Sequence, residues 1–142
     1  MNDVNRKEYE KIVTDLHEQY PITEQVKFCE FDLHDKLEKN GDIMLMYNDL
    51  LIKEEAHLEH IEDLMERLTG ERYDYYRFES DKNLQKPEIE KYYLPKDPKI
   101  IKMKSIVAKQ KIRVNFFKMC LNALNKQQWN MHTYSKNIQR GY

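Results

Sequence analysis

The stretch Glu54-Glu55-Ala56-His57-Leu58-Glu59-His60 is the first place where residue types and spacing could do chemistry. Glu54 and His57 share the Glu-x-x-His spacing that sets a carboxylate and an imidazole one helical turn apart, as carboxylate-bridged di-iron bundles require. Such a centre needs a second copy of the motif and two further carboxylates. The other histidines, His17, His34 and His132, supply no second copy. Solvated Glu and His side chains on a helix surface are therefore expected, and no metal. Nucleophilic catalysis has less to stand on: the chain has no Gly-x-Ser-x-Gly, no glycine-rich phosphate loop and no cysteine in an evident basic setting. The sequence predicts a non-enzyme with no catalytic residue and no cofactor.

The basic side chains carry more. Residues 1–76 hold 20 acidic and 9 basic side chains, a net −11, and residues 77–142 hold 5 acidic and 15 basic, a net +10, so the overall −1 hides a strong asymmetry. After Asp97 there are ten Lys or Arg and no acid. Lys99, Lys102, Lys109 and Arg113 fall at helical spacings of three, seven and four, and Lys104 and Lys111 lie seven apart, so each set can form a ridge. Arg72 and Arg77 stand among Tyr73, Tyr75 and Tyr76. Cations neutralise a phosphate backbone and flat rings stack on bases, which is how single strands are held without sequence preference. Charge alone equally allows the basic segment to pair with the acidic one between Asp49 and Glu66, within or between subunits.

These side chains need helices to position them. Three Gly and four Pro leave little for the tight turns of a β-rich fold, and 35% charged residues suit long helices with solvated faces. A first helix is expected over about 4–20, ended by Pro21. A second is expected from Thr23 to about Lys39, with Asn40-Gly41 as its stop and Asp42 as the next cap. Met44, Tyr47, Leu51, Glu54, Leu58, Ile61, Met65 and Leu68 then follow spacings of three and four, a coiled-coil-like seam with Glu54 as its polar intruder. Thr69-Gly70 reads as its end. Residues 71–97 read as a linker with a short helix near Glu88–Tyr93. Asp97-Pro98 is a strong helix start. Met103, Val107, Gln110, Val114, Phe117, Leu121 and Leu124 continue at four and three, with Gln110 as the polar interruption. The pattern lapses near Asn125, and Trp129, Tyr134 and Ile138 suggest a separate final helix.

The expectation is an all-α, elongated helical domain spanning 1–142, divided into an acidic helical part (1–70), a linker (71–97) and basic C-terminal helices (98–142). A chain so charged is expected to complete its apolar burial by self-association, through Val114, Phe117, Leu121, Leu124 and Trp129. No run of about 18 apolar residues is present, so no membrane span is expected. Met1-Asn2-Asp3-Val4-Asn5-Arg6 lacks the order of a signal peptide. Cys29 and Cys120 read as buried thiols in a reducing cytoplasm, with a structural disulfide between them as the alternative.

The C-terminal half also resembles a known family. Tyr93-Leu94-Pro95-Lys96-Asp97, then Ile101-Lys102, Gln110, Val114, Phe117, Leu121-Asn122-Ala123-Leu124 and Trp129-Asn130-Met131, together with the Leu68-Thr69-Gly70-Glu71-Arg72 corner, is similar to the UvsY family of T-even-type phages. The resemblance implies a recombination mediator that binds single-stranded DNA, helps displace the single-stranded-DNA-binding protein and promotes loading of a RecA-like recombinase. It also implies a homo-oligomeric ring of about six or seven subunits in the cytoplasm, that of the host cell if the protein is phage-encoded. Family members can carry basic residues just before the Thr-Gly corner. Here Glu62-Asp63-Leu64-Met65-Glu66-Arg67 leaves only Arg67, and Met131-His132 replaces an Ile-Lys pair. The expected DNA-binding set is therefore Arg67, Arg72, Arg77, Lys99, Lys102, Lys104, Lys109, Lys111 and Arg113. The alternative is a non-enzymatic helical adaptor that self-assembles through its oppositely charged halves.

Overall fold

The acid-rich and base-rich segments are each dominated by one very long helix. A computed structural model of the chain describes residues 4–140. Met1–Asp3, at the start of the stretch read for a leader, and Gly141–Tyr142, at the end of the basic segment, lie outside them. The chain is all-α and elongated, 86% helical, with no strand among the described residues. Its elements are α1 (Arg6–Gln19), α2 (Ile22–Gln25), α3 (Leu33–Asp74), α4 (Lys86–Glu88) and α5 (Pro98–Gln139). Wider π-helical turns extend α3 over Tyr75–Glu79 and α4 over Ile89–Tyr93, and a 3₁₀ turn at Leu94–Lys96 leads into α5. At 42 residues each, α3 and α5 run about 63 Å.

The two long helices form an antiparallel hairpin. Asn40 bonds Gln128, Glu54 bonds Gln110 and Arg72 bonds Asp97, so rising numbers on α3 meet falling numbers on α5. Every seam position expected on the two helices is buried or half-buried. One end of the hairpin carries the larger core, where Leu16 and Ile22 join Tyr47, Phe116, Phe117, Cys120 and Leu124. Here α1 lies against α5, with His17 edge-on to Phe116 at 5.1 Å and Tyr20 edge-on to Phe117 at 5.1 Å between ring centroids. A smaller cluster of Leu84, Ile89 and Leu94 fills the bend at the other end, flanked by Tyr73, Tyr76 and Tyr93.

Several expected boundaries are corrected. The helix expected from Thr23 to Lys39 is split: α2 covers its start, its last turns from Leu33 already belong to α3, and residues 26–32 between them form a loop in which the Cys29 amide donates to Asp32 Oδ1 at 2.6 Å. Cys29 is consequently exposed rather than buried, while Cys120 is buried, and both are free thiols. Asn40-Gly41 does not stop α3, because the Asn40 carboxamide turns into the seam and donates to Gln128. Thr69-Gly70 does not end it either: the next turn carries Arg72 and Tyr76, both anchored on Asp97. The lapse near Asn125 is also bridged. Gln127 is buried and donates to the Gln25 carbonyl at 2.8 Å, so polar side chains take over the inward face there. At Asn40-Gly41, Thr69-Gly70 and Asn125 a tertiary contact overrides a local stop signal.

Candidate nucleic-acid interface

Asp97 fixes where the basic helix begins. Its Oδ1 accepts from the Lys99 and Ile100 amides at 2.9 and 3.1 Å, an N-cap over Pro98. Its Oδ2 accepts from Arg72 Nε at 2.8 Å and from the Tyr76 hydroxyl at 2.6 Å. The side chain is fully buried. Burial alone would raise its pKa, but the bonds from Tyr76, Arg72 and the two amides outweigh it and hold the carboxyl below its usual value. Arg72 also lies 4.3 Å above the Tyr75 ring. This guanidinium is a structural clamp on the start of α5, and its ion pair is satisfied within the chain.

A second ion pair ties the middle of the seam. Arg113 donates to Glu54 through Nη2 at 2.7 Å and Nε at 3.1 Å. Gln110 Nε2 bonds the same carboxylate and reaches the Glu54 carbonyl at 2.9 Å. The two polar intruders seen in the sequence are therefore partners. Burial pushes the Glu54 carboxyl up, yet the Arg113 and Gln110 bonds outweigh it and the net direction is down. Glu54 thus faces a guanidinium and an amide, while His57 is exposed. No group of three or more His, Cys, Asp or Glu comes together among the described residues.

The other expected DNA-binding residues point outward. Arg67, Arg77, Lys99, Lys102, Lys104 and Lys111 are exposed and Lys109 is half-buried. None of them has a carboxylate within ion-pairing distance among the described residues. The ridge of Lys99, Lys102, Lys109 and Arg113 turns inward at its end, where Arg113 meets Glu54. The ridge of Lys104 and Lys111 stays in solvent and continues into Lys118, which the sequence shows at the same spacing of seven. Lys126, Lys136 and Arg140 extend the exposed cations and were equally legible as members of the acid-free run. Of the aromatic group, Tyr73 and Tyr76 are half-buried against the bend cluster, whereas Phe78 and Tyr92 stand in solvent.

The expected subunit-contact set separates. Val114, Phe117 and Leu124 are 3%, 0% and 0% exposed inside the single chain, so they offer no surface to another subunit in this conformation. Leu121 packs half-buried beside them. Trp129 alone is open, at 68%. No helix among the described residues is long and apolar enough to cross a membrane. No family model matches the chain, and no match emerges among the curated proteins or the solved structures.

Proposed function

We propose that this protein is a recombination mediator of the UvsY type. It binds single-stranded DNA as a homo-oligomer, helps displace the single-stranded-DNA-binding protein and promotes loading of a RecA-like recombinase. One observation carries the reading: α5 presents a long exposed row of lysines with no carboxylate partner among the described residues. A helix whose exposed lysines are unneutralised by its own chain is suited to a polyanion, and phosphate contacts from lysines carry no sequence preference. The recombinase and the displaced protein come from the family resemblance.

The test is a fluorescence-anisotropy titration of a labelled single-stranded oligonucleotide at several salt concentrations. If each subunit engages about four phosphates, log affinity falls with log salt at a slope of roughly −3 per subunit. Lys102→Glu, Lys104→Glu and Lys111→Glu together weaken binding and flatten the slope with the helix content unchanged. Loading of a RecA-like recombinase onto a pre-coated strand then tests mediation itself. A second reading has its own observation: the outer residues Glu55, Glu59, Glu62, Asp63 and Glu66 of α3 are also exposed and free of ion pairs among the described residues. An adaptor zipping acidic to basic faces would gain mass at low salt and leave the oligonucleotide unbound.

A further inference from the structure

We infer that the outer face of α5 from Lys111 to Lys136 is a single-strand track on which Trp129 stacks a base; this rests on the single-strand-binding reading above and assigns its site. Lys111, Lys118, Asn122, Asn125, Trp129 and Lys136 recur at spacings of seven, four, three, four and seven. Lys111, Lys118, Asn122 and Asn125 each directly follow a seam residue, Gln110, Phe117, Leu121 and Leu124. The stripe therefore runs parallel to the seam, about 100° round the helix. α1 packs on the opposite flank, through Phe116, and leaves the stripe uncovered. All six side chains are exposed, and no acid follows Asp97 on this helix.

The chemistry of the face is mixed in a way that ion pairing does not need. An indole 68% exposed among asparagines and lysines holds a large apolar ring in water. Asn125, Lys126 and Asn130 surround it in a shallow open recess. A flat ring takes any base, carboxamides both donate and accept at base edges, and lysines meet phosphates. An acidic helix of another copy would answer the lysines, but beside Glu55, Glu59 and Glu62 it offers the indole only the small rings of His57 and His60. From Lys111 to Lys136 the track is about 38 Å long, room for at most about 11 nucleotides at 3.4 Å each, within the span single-strand sites occupy.

Trp129 is the only tryptophan, so its own emission reports the contact. Oligo-dT titrated into the full chain is expected to quench it in parallel with the anisotropy of a labelled strand. Trp129→Ala is expected to lose roughly tenfold in affinity, as for one unstacked base, and Trp129→Phe to keep most of it, with circular dichroism unchanged in both. Salt-sensitive anisotropy with unchanged Trp129 emission and an unaffected Trp129→Ala variant overturns the track and leaves the single-strand reading standing. Absence of any anisotropy change overturns both. Emission that shifts to the blue with protein concentration alone, without oligonucleotide, shows the ring covered by a second copy and also overturns the inference.

Discussion

At the scale of single residues, two carboxylates decide the register of the hairpin. Glu54 was visible in the sequence as a break in an apolar seam, and so was Gln110; that the two breaks meet was not, because pairing across 56 residues leaves no local signal. The same holds for Asp97. Its capping role is legible from Asp-Pro, whereas the Arg72 and Tyr76 bonds that bury it depend on how the bend closes. Removing a buried partner strands the other charge, so Asp97→Ala should lower stability by about 3–5 kcal/mol. The pH dependence follows from the depressed carboxyl. Its folded pKa lies below the ordinary value of 3.8, so its contribution is complete above that value and is lost as pH falls through the lower, folded one. Urea midpoints measured at pH 7 and pH 3 should fall further for the wild type than for Asp97→Asn, which has no proton to take up.

At the scale of elements, the seam was readable and the ends were not. The seam positions between Met44 and Leu68 and between Met103 and Leu124 face inward as their spacing requires, since a three-and-four repeat admits one helical face. The failures were at Gly41, Gly70 and Asn125, where a local stop was outvoted by contacts made far along the chain. Both glycines sit inside α3, and a Cβ at either would meet nothing within 4 Å. Neither needs the freedom of glycine, so both only add flexibility to the unfolded chain. Gly41→Ala and Gly70→Ala should each stabilise by about 0.5–1 kcal/mol, seen as additive increases in the urea midpoint. A loss at either position would mean that the helix bends there in solution. Of the candidate interface, the lysine ridge was legible as an acid-free run. The ion pairs of Arg72 and Arg113 within the chain were not, because they require the acidic helix to be laid alongside.

At the scale of the whole molecule, charge is sorted onto opposite arms and joined by few ion pairs among the described residues, which leaves both outer faces available. For the proposed homo-oligomer, the apolar side chains that the single chain leaves open are available as a contact. Leu45 and Ile52, 63% and 56% exposed and seven apart on α3, form one such pair on a single helix face. Leu45→Asp with Ile52→Asp should reduce the light-scattering mass towards the 17.4 kDa of one chain while leaving helix content intact. Leu124→Asp, in the core, should unfold the hairpin instead. An unchanged mass in the first variant would place the contact elsewhere. The bend has one more consequence. Arg72 and Tyr76 reach Asp97 across 25 and 21 residues, whereas Asn40 reaches Gln128 across 88. Closing the longer loop first would forfeit about 1.3 kcal/mol more chain entropy than closing the shorter. The order of assembly is thereby biased: the arms meet at the bend and zip towards the open end. There α1 adds Leu16 to the larger core, at the end of the hairpin that closes last.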